Sequence, residues 1–361
     1  MSKKRVLIGM SGGLDSTVAA MLLLKQGYEL VGATFRTFTP DANCNSSKSC
    51  CAEETILEAQ RMAHELGFEH HILDFRDTFK QEVIDNFIQE YQLGRTPNPC
   101  VLCISHIKWG KLMQAADMYQ CDYIATGHYA QIAEHRGHYY LKKAVDEQKD
   151  QTYFLWMLTE ENLQKTIFPL GGLHKSQVRE IARQHGFEAL AKKLESQDIC
   201  FIPNNDYRTF LAEQGVVVEP GQYIDNQGKI LGMHQGYCNY TIGQRKGLGI
   251  ALGSPKFVTH IDVENNRVTL GEREDLLATT ARIAQVRLRD EEWLKTSPEV
   301  YARIRYKSPA VEGIIHFEAA NNNTLNQELE VLFSSPVWGV TPGQSLVMYK
   351  NDLVIGGGII K

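Results

Sequence analysis

The sequence predicts an α/β protein with three domains, in which a parallel, doubly wound sheet is followed by a small mixed domain and a β-barrel. Strand, turn and helix patterns alternate along the first part of the chain. The sequence then becomes rich in glycine and short strands, and it ends in alternating strand patterns. These changes divide the chain into residues 1–205, 206–277 and 278–361.

The first βαβ unit lies at the start of the chain. The apolar run RVLIGM is typical of a buried strand, and the glycine turn SGGLDS follows it. The next stretch, STVAAMLLLKQGY, is rich in helix-forming Ala, Leu and Met and stops at Gly27. ELVGATF then predicts the second strand, so the order is strand, turn, helix, strand.

The same order recurs further along the chain. EETILEAQRMAHELG predicts a helix that ends at Gly67, before the strand HHILDF. IKWGKLMQAADMYQ predicts a helix over 107–120, before the strand CDYIATGH, and another helix is predicted over 174–190. Strands that alternate with helices at this spacing favour a parallel sheet, which binds ligands at the carboxyl ends of its strands.

Length and composition are those of an ordinary globular chain. It has 361 residues, of which 43% are hydrophobic, so each of two or three domains has enough apolar side chains for a core. The formal charge of −5 does not attract polyanions, so a nucleic-acid partner would need local basic patches. The N-terminal apolar run is too short for a signal peptide, and no window is long enough for a membrane span.

These features predict a cytoplasmic protein without membrane association. Thiols stay reduced in that compartment, so the eight cysteines are not expected to form a structural disulfide framework. Five of them have no distinctive context and are interpreted as buried or incidental thiols, namely Cys44, Cys50, Cys51, Cys121 and Cys238.

The glycine turn SGGLDS (11–16) lies between the first predicted strand and the first predicted helix. Backbone N–H groups and the helix dipole make such a junction an anion site, and Ser11 and Ser16 add hydroxyl donors. The turn has neither the dinucleotide fingerprint nor the lysine of a Walker loop. Asp15 would repel phosphate unless Mg²⁺ or a backbone role accounts for it. A plain βα turn is the alternative interpretation.

SGGLDS resembles the SGGxDS pyrophosphate loop of the PP-loop ATP pyrophosphatases, which have a Rossmann-like fold. The resemblance implies that ATP, with Mg²⁺, adenylates an oxygen and yields pyrophosphate and AMP. It places Asp15 in the catalytic set and has Phe35 and Gly127 flank the adenosine. The implied ATP-binding positions are Gly9, Met10, Ser11, Gly12, Gly13, Leu14, Asp15, Ser16, Phe35 and Gly127.

Three cysteines stand in distinctive contexts. Cys100 and Cys103 follow two prolines in TPNPCVLC (96–103), so both sulfurs can lie near one point. Spacing alone leaves a metal clamp, a disulfide, a nucleophile or an ordinary turn open. Cys200 stands in LESQDICFIP, just before the change in pattern, where a mobile segment could fold over a site.

Motifs along nearly the whole chain resemble one family, the tRNA-specific 2-thiouridylases (MnmA or TrmU). The matching strings are SGGLDS, GRTPNPCVLC, ATGHYA, KDQTYFL, FPLGGLHKSQVREIA, SQDICFIP, GYCNYTIGQRKGLGI, RIRY and TPGQS. The resemblance implies sulfur transfer to C2 of the wobble uridine, position 34, of tRNAs for Lys, Glu and Gln. It implies adenylation and thiolation in residues 1–205 and tRNA binding in 206–277 and 278–361.

The same resemblance assigns roles to the thiols. Cys200 matches the cysteine that carries the persulfide sulfur, and Cys103 matches the nucleophile that attacks it, which closes a transient Cys103–Cys200 disulfide. Adenylation of the uracil O2 provides a leaving group, so the glycine turn and the thiols serve one reaction. The implied partners are tRNA and a persulfide-donating protein, either a cysteine desulfurase or a sulfur relay.

Other positions match tRNA contacts of the family. Independently, Arg303, Arg305 and Lys307 alternate in sequence and are predicted to share one face of a strand. Plainer interpretations are a solvated face for these three, a hydrogen-bonded histidine for His128 and a helix cap for Asp150. The matching positions are Asn98, Pro99, Cys100, His128, Lys149, Asp150, Gln151, Arg305, Tyr306 and Gln344.

The sequence departs from the family pattern beside the nucleophile. Many members carry Asp where this chain has Cys100 and Asn where it has Ile104, so a role that requires a carboxylate at residue 100 is in doubt. The change creates a set of three thiols with Cys103 and Cys200 that could hold a [4Fe–4S] cluster with one open iron. The cluster is an alternative route for the same sulfur, whereas three cysteines are too few to identify a zinc site.

Two other classes of function compete with thiolation. Another PP-loop ligase, such as an amidotransferase-type synthetase or a tRNA lysidine synthetase, would need no pair of cysteines. An RNA-binding module with a vestigial nucleotide site would not need Asp15 and both serines of the loop.

Overall fold

The computed structural model describes residues 3–38, 53–193, 199–217, 219–317 and 328–361. Cys44, Cys50 and Cys51 lie outside these ranges. The chain folds into two compact units. The first comprises Met1–Ile84, Cys100–Asn205 and Asp352–Ile355, and the second comprises Asp85–Pro99, Asp206–Asn351 and Gly356–Lys361.

The helices of both units are short, and the longest described one has 14 residues. In chain order they are α1 (Leu14–Lys25), α2 (Glu53–Leu66), α3 (Arg76–Phe79), α4 (Asp85–Gln92), α5 (Pro99–Leu102), α6 (Gly110–Met118), α7 (Thr152–Leu155), α8 (Glu160–Gln164), α9 (Lys175–Gln184), α10 (Glu188–Lys192), α11 (Tyr207–Glu213) and α12 (Glu291–Thr296). Lys80–Ile84 and Cys103–Trp109 are π-helical, and Pro203–Asn205, Tyr237–Asn239 and Glu274–Leu276 are 3₁₀ turns.

A parallel sheet forms the centre of the first unit. Its strand order is β3-β2-β1-β4-β7, and every pairing in it is parallel. Gly9, at the end of β1, is level with Ala33 and Thr126 on the neighbouring strands. The strands of the first unit are β1 (Arg5–Gly9), β2 (Glu29–Arg36), β3 (Glu69–Asp74), β4 (Tyr123–Thr126), β5 (Gln131–His135), β6 (His138–Lys142) and β7 (Thr166–Ile167).

The core of the first unit is built where the sequence is continuously apolar. Val6 and Ile8 of β1 are fully buried, as are Val18 and Leu23 of α1. Burial on both faces explains why the central strand has an unbroken apolar run instead of an alternating one. The predicted parallel sheet with flanking helices is confirmed.

Two predicted helices differ in extent from the structure. The helix predicted over 174–190 is divided into α9 and α10, because Gly186 has φ of 84°, a left-handed conformation that ends a helix. The helix predicted over 107–120 starts earlier, as the π-helical stretch Cys103–Trp109 that continues into α6. Cys100 and Cys103 therefore lie on helical backbone and not in an extended loop.

The second unit contains a small sheet and a closed barrel. The small sheet has the order β10-β11-β8-β9 and buries Tyr223, Val258 and Val268. The barrel runs β12-β15-β14-β13-β16-β17 and closes because β12 also pairs with β17, with Ile283 opposite Ile360. The remaining strands are β8 (Gly221–Ile224), β9 (Ile230–His234), β10 (Phe257–Asp262), β11 (Arg267–Gly271), β12 (Leu277–Leu288), β13 (Glu299–Arg303), β14 (Val311–Phe317), β15 (Leu329–Trp338), β16 (Ser345–Lys350) and β17 (Leu353–Ile360).

The prediction of a basic strand face that includes Arg303, Arg305 and Lys307 is wrong. β13 ends at Arg303, and residues 304–308 form a turn instead of continuing the strand. Ser308 closes that turn, since its N–H and its hydroxyl both donate to the carbonyl oxygen of Arg305. Period-2 alternation applies only within a strand, so Arg303, Arg305 and Lys307 do not share a face.

Within the described residues, no helix is both long enough and apolar enough to cross a membrane.

Candidate active site

The backbone at the end of β1 is fixed to β2 before it enters the glycine turn. Met10 N–H donates to the carbonyl of Ala33 at 2.8 Å, and the hydroxyl of Thr34 donates to the carbonyl of Met10 at 2.8 Å. Thr34 also contacts His70 Nε2 at 2.8 Å. Burial lowers the pKa of His70 to about 4, so its ring is neutral. Because the Thr34 hydroxyl proton is directed to the Met10 carbonyl, the ring carries its proton on Nε2 and donates it to the threonine oxygen.

The turn leads into α1 with its amides available. Gly13 is the N-cap residue in an extended conformation, and no side chain caps the helix. Since the first N–H groups of a helix have no intrahelical partner, they can bind an anion. Ser16 hydroxyl donates to the Gly13 carbonyl at 3.1 Å and accepts from Ser11 N–H at 3.2 Å, which holds the two ends of the turn together.

Two predicted ATP-binding glycines are sterically required. Gly12 has φ of 62°, and an ideal Cβ there would lie 2.4 Å from the carbonyl oxygen of Thr55. A Cβ on Gly127 would lie 2.7 Å from the backbone of Asp15 and Ser16. The segment after β4 therefore approaches the start of α1 as closely as backbone can, and glycine is needed at both positions.

Asp15 is held by two side chains that sequence reasoning did not assign. Lys175, at the start of α9, contacts both carboxylate oxygens of Asp15 at 2.7 and 2.8 Å, and only 10% of its side chain is exposed. Tyr129 hydroxyl donates to Asp15 Oδ1 at 2.9 Å. The ion pair removes the repulsion that Asp15 alone would exert on phosphate.

Phe35 lies at the carboxyl end of β2, two residues beyond the level of Gly9. Its ring is half-buried and meets Phe75 edge-on, with the ring centroids 5.3 Å apart. The ring thus stands at the same sheet edge as the turn, which is the ligand-binding edge of parallel sheets.

The thiols at the start of the π-helical stretch differ in environment. Cys100 is an exposed residue. Desolvation by the surrounding protein atoms nevertheless raises the pKa of its thiol, and the positive charge of Lys108 opposes this shift. Cys103 is half-buried and begins the stretch that ends at Trp109. Trp109 is buried and donates from its ring nitrogen to the hydroxyl of Thr166 at 2.9 Å, which anchors this helical segment to the sheet.

Cys200 lies in the same part of the first unit as Cys103. It is a half-buried free thiol, and its neighbour Phe201 meets Phe79 edge-on at 5.6 Å. Helix α3, which ends at Phe79, also packs against the π-helical stretch that begins at Cys103. Helix α3 therefore contacts the segment that begins at Cys103, and its last residue contacts the residue after Cys200.

The three thiols do not form a metal site as described. Among the residues that the structure describes, no group of three His, Cys, Asp or Glu side chains is arranged to hold a metal ion. Cys100, Cys103 and Cys200 in this conformation thus do not fit the three-cysteine ligand set of the cluster alternative.

His128 is located between the turn and the segment of Cys103. Its Nδ1 lies 2.7 Å from the hydroxyl of Thr126, and its ring is 5.5 Å from that of Trp109. Burial, reinforced by Lys108, lowers the pKa of His128 to about 3. The ring is therefore neutral at physiological pH, and Thr126 fixes its orientation.

The segment 149–151 is fixed by hydrogen bonds to neighbouring loops and to the backbone of Tyr129. Gln151 exchanges two hydrogen bonds with the backbone of Tyr129, each of 2.9 Å. Asp150 is 4% exposed and accepts from Ala144 N–H at 3.1 Å and from the Thr152 hydroxyl at 2.7 Å. Helix α7 begins at Thr152, so Asp150 stabilises the loop before it, and Lys149 remains half-buried.

The second unit carries the other predicted tRNA positions in two places. The side-chain amide of Gln344 donates to the carbonyls of Thr96 and Pro97, at 2.9 and 3.0 Å, directly before Asn98 and the buried Pro99. This contact brings Gln344 together with the loop of Asn98.

Arg305 and Tyr306 lie in the turn after β13. Arg305 donates to the carbonyl of Ile242 at 3.1 Å and to Thr341, and its guanidinium lies over Trp338. Tyr306 is half-buried in the same turn. Arg305 thus links three segments of the second unit.

The remaining described cysteines have the environments of structural thiols. Burial raises the pKa of Cys121 and of Cys238 to about 11. Cys238 is buried and donates to the carbonyl of Tyr91 at 3.2 Å. Such protonated thiols are poor nucleophiles.

Three family models match the chain in sequence. Residues 4–204 match the tRNA methyl transferase HUP domain, 208–272 match the tRNA methyl transferase PRC-barrel domain, and 282–360 match the aminomethyltransferase beta-barrel domain.

Curated relatives are similar over their whole length. The tRNA-specific 2-thiouridylase MnmA of Cytophaga hutchinsonii is 45% identical, covering 100% of this chain and 98% of the relative. The corresponding protein of Amoebophilus asiaticus is 42% identical over 100% of this chain and 96% of its own, and that of Clostridium perfringens is 43% identical over 100% and 99%. With its glycine turn, its fold and this full-length similarity, the chain belongs to the MnmA family of tRNA-specific 2-thiouridylases.

Proposed function

We propose that this protein uses ATP to convert the wobble uridine, position 34, of tRNAs for Lys, Glu and Gln to 2-thiouridine. The uracil O2 is adenylated, and sulfur is transferred to C2 from a cysteine persulfide. The observation that carries the proposal is the combination, within one unit, of an anion-binding turn and two half-buried thiols, Cys103 and Cys200. Another PP-loop ligase would not need that pair.

The turn prepares the adenylation step. The uncapped amides of α1 and the hydroxyls of Ser11 and Ser16 can donate to the phosphates of ATP, which Mg²⁺ accompanies. In this proposal Phe35 and Gly127 flank the adenosine at the same sheet edge. Attack of O2 on the α-phosphorus forms the O–P bond and breaks the bond to pyrophosphate, so the C2 carbon gains AMP as its leaving group.

Lys175 and Asp15 set the charge at this step. The buried Lys175 cancels the charge of Asp15 in the free protein. When phosphate approaches, the ammonium can share its three N–H donors between the carboxylate and the phosphate oxygens. Tyr129 keeps Asp15 oriented while Lys175 does so. Charge-assisted hydrogen bonds of this kind stabilise the negative charge that develops on the leaving pyrophosphate.

The thiols complete the reaction with balanced bonds. The terminal sulfur of a Cys200 persulfide adds to C2, and AMP leaves with the former O2. The Cys103 thiolate then attacks Cys200 Sγ, which breaks the persulfide bond, leaves the outer sulfur on C2 and forms a Cys103–Cys200 disulfide. A dithiol reductant must reopen that disulfide, and a cysteine desulfurase or sulfur relay must supply the next persulfide.

The tRNA-contacting set is proposed with two kinds of member. Cys100, His128, Lys149, Tyr306 and Asn98 present side chains that are exposed or half-buried. Asp150 and Arg305 are engaged in internal hydrogen bonds and would act through the loops that they hold. Pro99, Gln151 and Gln344 belong with the second kind, since Pro99 is buried and both amides are used internally.

The proposal is tested by thiolation of unmodified tRNA transcripts in vitro. The purified protein is incubated with ATP, Mg²⁺ and a persulfide donor, and nucleosides are read by mass spectrometry. We expect 2-thiouridine at position 34 with AMP and pyrophosphate as products. Absence of 2-thiouridine, or formation of ADP, would refute the assignment.

The same preparation, purified without oxygen, decides the route of the sulfur. We expect full activity with substoichiometric iron, because the three thiols do not form a ligand group as described. A stoichiometric cluster whose removal abolishes activity would establish the cluster route in place of the persulfide.

A further inference from the structure

A second lysine reaches the phosphate-binding turn from the end of α10. Lys193 Nζ donates to the carbonyl oxygen of Gly12 at 3.3 Å. Its backbone is fixed because its N–H donates to the carbonyl of Leu190 at 3.1 Å, and Leu190 and Ala191 are buried in the core. The ammonium is therefore held at the turn by an anchored helix end, although much of the side chain is exposed.

The partner of Lys193 is held in place by the geometry of the turn. Gly12 adopts φ of 62° and lies against the carbonyl of Thr55, so its peptide orientation is constrained on the side of α2. The Gly12 carbonyl therefore holds the Lys193 ammonium beside the turn whose backbone N–H groups can bind phosphate. A neutral carbonyl is a weaker partner for ammonium than an anion.

Charge distinguishes Lys193 from Lys175. Lys175 and the Asp15 carboxylate form an ion pair with no net charge. In the part of the chain that the structure describes, Lys193 has no carboxylate within 4.0 Å. Among the described residues, Lys193 therefore brings to the turn a positive charge that no carboxylate within 4.0 Å balances, and this charge adds to the positive end of the α1 dipole.

We propose that Lys193 is a phosphate-binding residue that exchanges the Gly12 carbonyl for the β- and γ-phosphates of ATP. The inference rests on the proposed function, since it concerns the same nucleotide site. Lys193 precedes Cys200 on the chain segment that follows α10. One residue of the nucleotide site, Lys193, and the proposed persulfide, Cys200, would thus be close neighbours in the sequence.

The test is direct nucleotide binding by calorimetry with the full-length protein, Mg²⁺ and no tRNA. Loss of one charge-assisted hydrogen bond predicts that Lys193→Ala raises the Kd of ATP about tenfold. The Kd of AMP, which lacks the β- and γ-phosphates, should stay within about twofold. Lys193→Arg should keep the affinity for ATP within about threefold, because it retains the charge.

Lys192→Ala is the matched control. It removes the same charge from the adjacent residue, whose side chain is exposed and pairs with Glu188 at 3.8 Å, and it should leave both Kd values unchanged. Equal ATP affinities of Lys193→Ala and Lys192→Ala would overturn the inference, and so would an equal loss of ATP and AMP in Lys193→Ala. A wild-type protein that binds no ATP would instead refute the proposed function.

Discussion

The phosphate-binding turn and the thiols of the first unit are organised in opposite ways. At the turn, Asp15 has two partners, Met10 is held through both backbone polar groups, and Ser16 bridges to Ser11. Cys103 and Cys200 are half-buried thiols. Electrostatic stabilisation needs donors that are fixed before the reaction, whereas disulfide exchange needs sulfurs that change partners in each turnover. We therefore expect the activation step to depend on fixed hydrogen-bond donors, and the sulfur transfer to depend on thiols that can exchange their bonding partners.

Among variants of the turn and its surroundings, the largest effect is expected from Lys175→Met, which leaves Asp15 as an uncompensated charge beside the phosphates. We expect adenylation of tRNA, measured as pyrophosphate release, to fall by at least about 100-fold. Arg183→Met is the control, because it removes a cation of the same helix that pairs with the exposed Glu180 at 3.1 Å.

The double variant Asp15→Asn, Lys175→Met sharpens the same comparison. Residues in contact do not contribute additively, so the double variant should lose less than the product of the two single losses. Strict additivity, or a Lys175→Met enzyme as active as Arg183→Met, would show that the ion pair does not organise the turn.

A smaller effect, on stability, is expected from a variant of the buried Asp150 in the loop before α7. Asp150→Ala leaves the Ala144 N–H and the Thr152 hydroxyl without their buried acceptor and should cost about 3 kcal/mol of unfolding free energy. Chemical denaturation measures this cost against Glu147→Gln, an exposed neighbour that should lie within about 0.5 kcal/mol of wild type. Equal stabilities of the two variants would show that the buried Asp150 does not stabilise the loop before α7.

The smallest effect concerns His128, which lies between the turn and the Cys103 segment. Its pKa is about 3 when folded, below the ordinary value of 6.5, so the unfolded chain binds the extra proton and stability falls as pH decreases from about 6.5 toward 3. Between pH 7 and 5, His128→Asn should lose roughly 1 kcal/mol less stability than wild type, because the remaining exposure of the ring reduces the full linkage effect. Identical dependences of unfolding free energy on pH in wild type and His128→Asn would contradict a neutral His128 in the folded protein.

Local sequence was sufficient where a feature depends on neighbours in the chain. The order of strand, glycine turn and helix around Gly9 and Asp15 was predictable, because apolar runs and glycine positions specify each element directly. Strand alternation in residues 278–361 predicted an all-β domain, but alternation alone does not distinguish a barrel from a sandwich. The prediction that Arg303, Arg305 and Lys307 share a strand face was wrong for a local reason. The turn that Ser308 closes was not recognised among the alternating basic residues.

Long-range contacts could not be predicted in the same way. Lys175 and Lys193 meet the turn from positions 160 and 181 residues away along the chain. The string FPLGGLHKSQVREIA contains Lys175, but only the fold shows that the first turn of α9 points this residue at Asp15. The contact of Phe79 with Phe201, the neighbour of Cys200, likewise depends on packing between elements that are far apart in the sequence.

The most direct measurement separates activation from sulfur transfer in cysteine variants. In a single turnover with tRNA, Cys103→Ser and Cys200→Ser should still release pyrophosphate at rates within about threefold of wild type, because neither thiol is part of the turn. Formation of 2-thiouridine should fall by at least about 1,000-fold in both, while Cys121→Ser retains both activities. Undiminished 2-thiouridine in either variant, or loss of pyrophosphate release in parallel with thiolation, would contradict the division of the site into a preorganised turn and exchanging thiols.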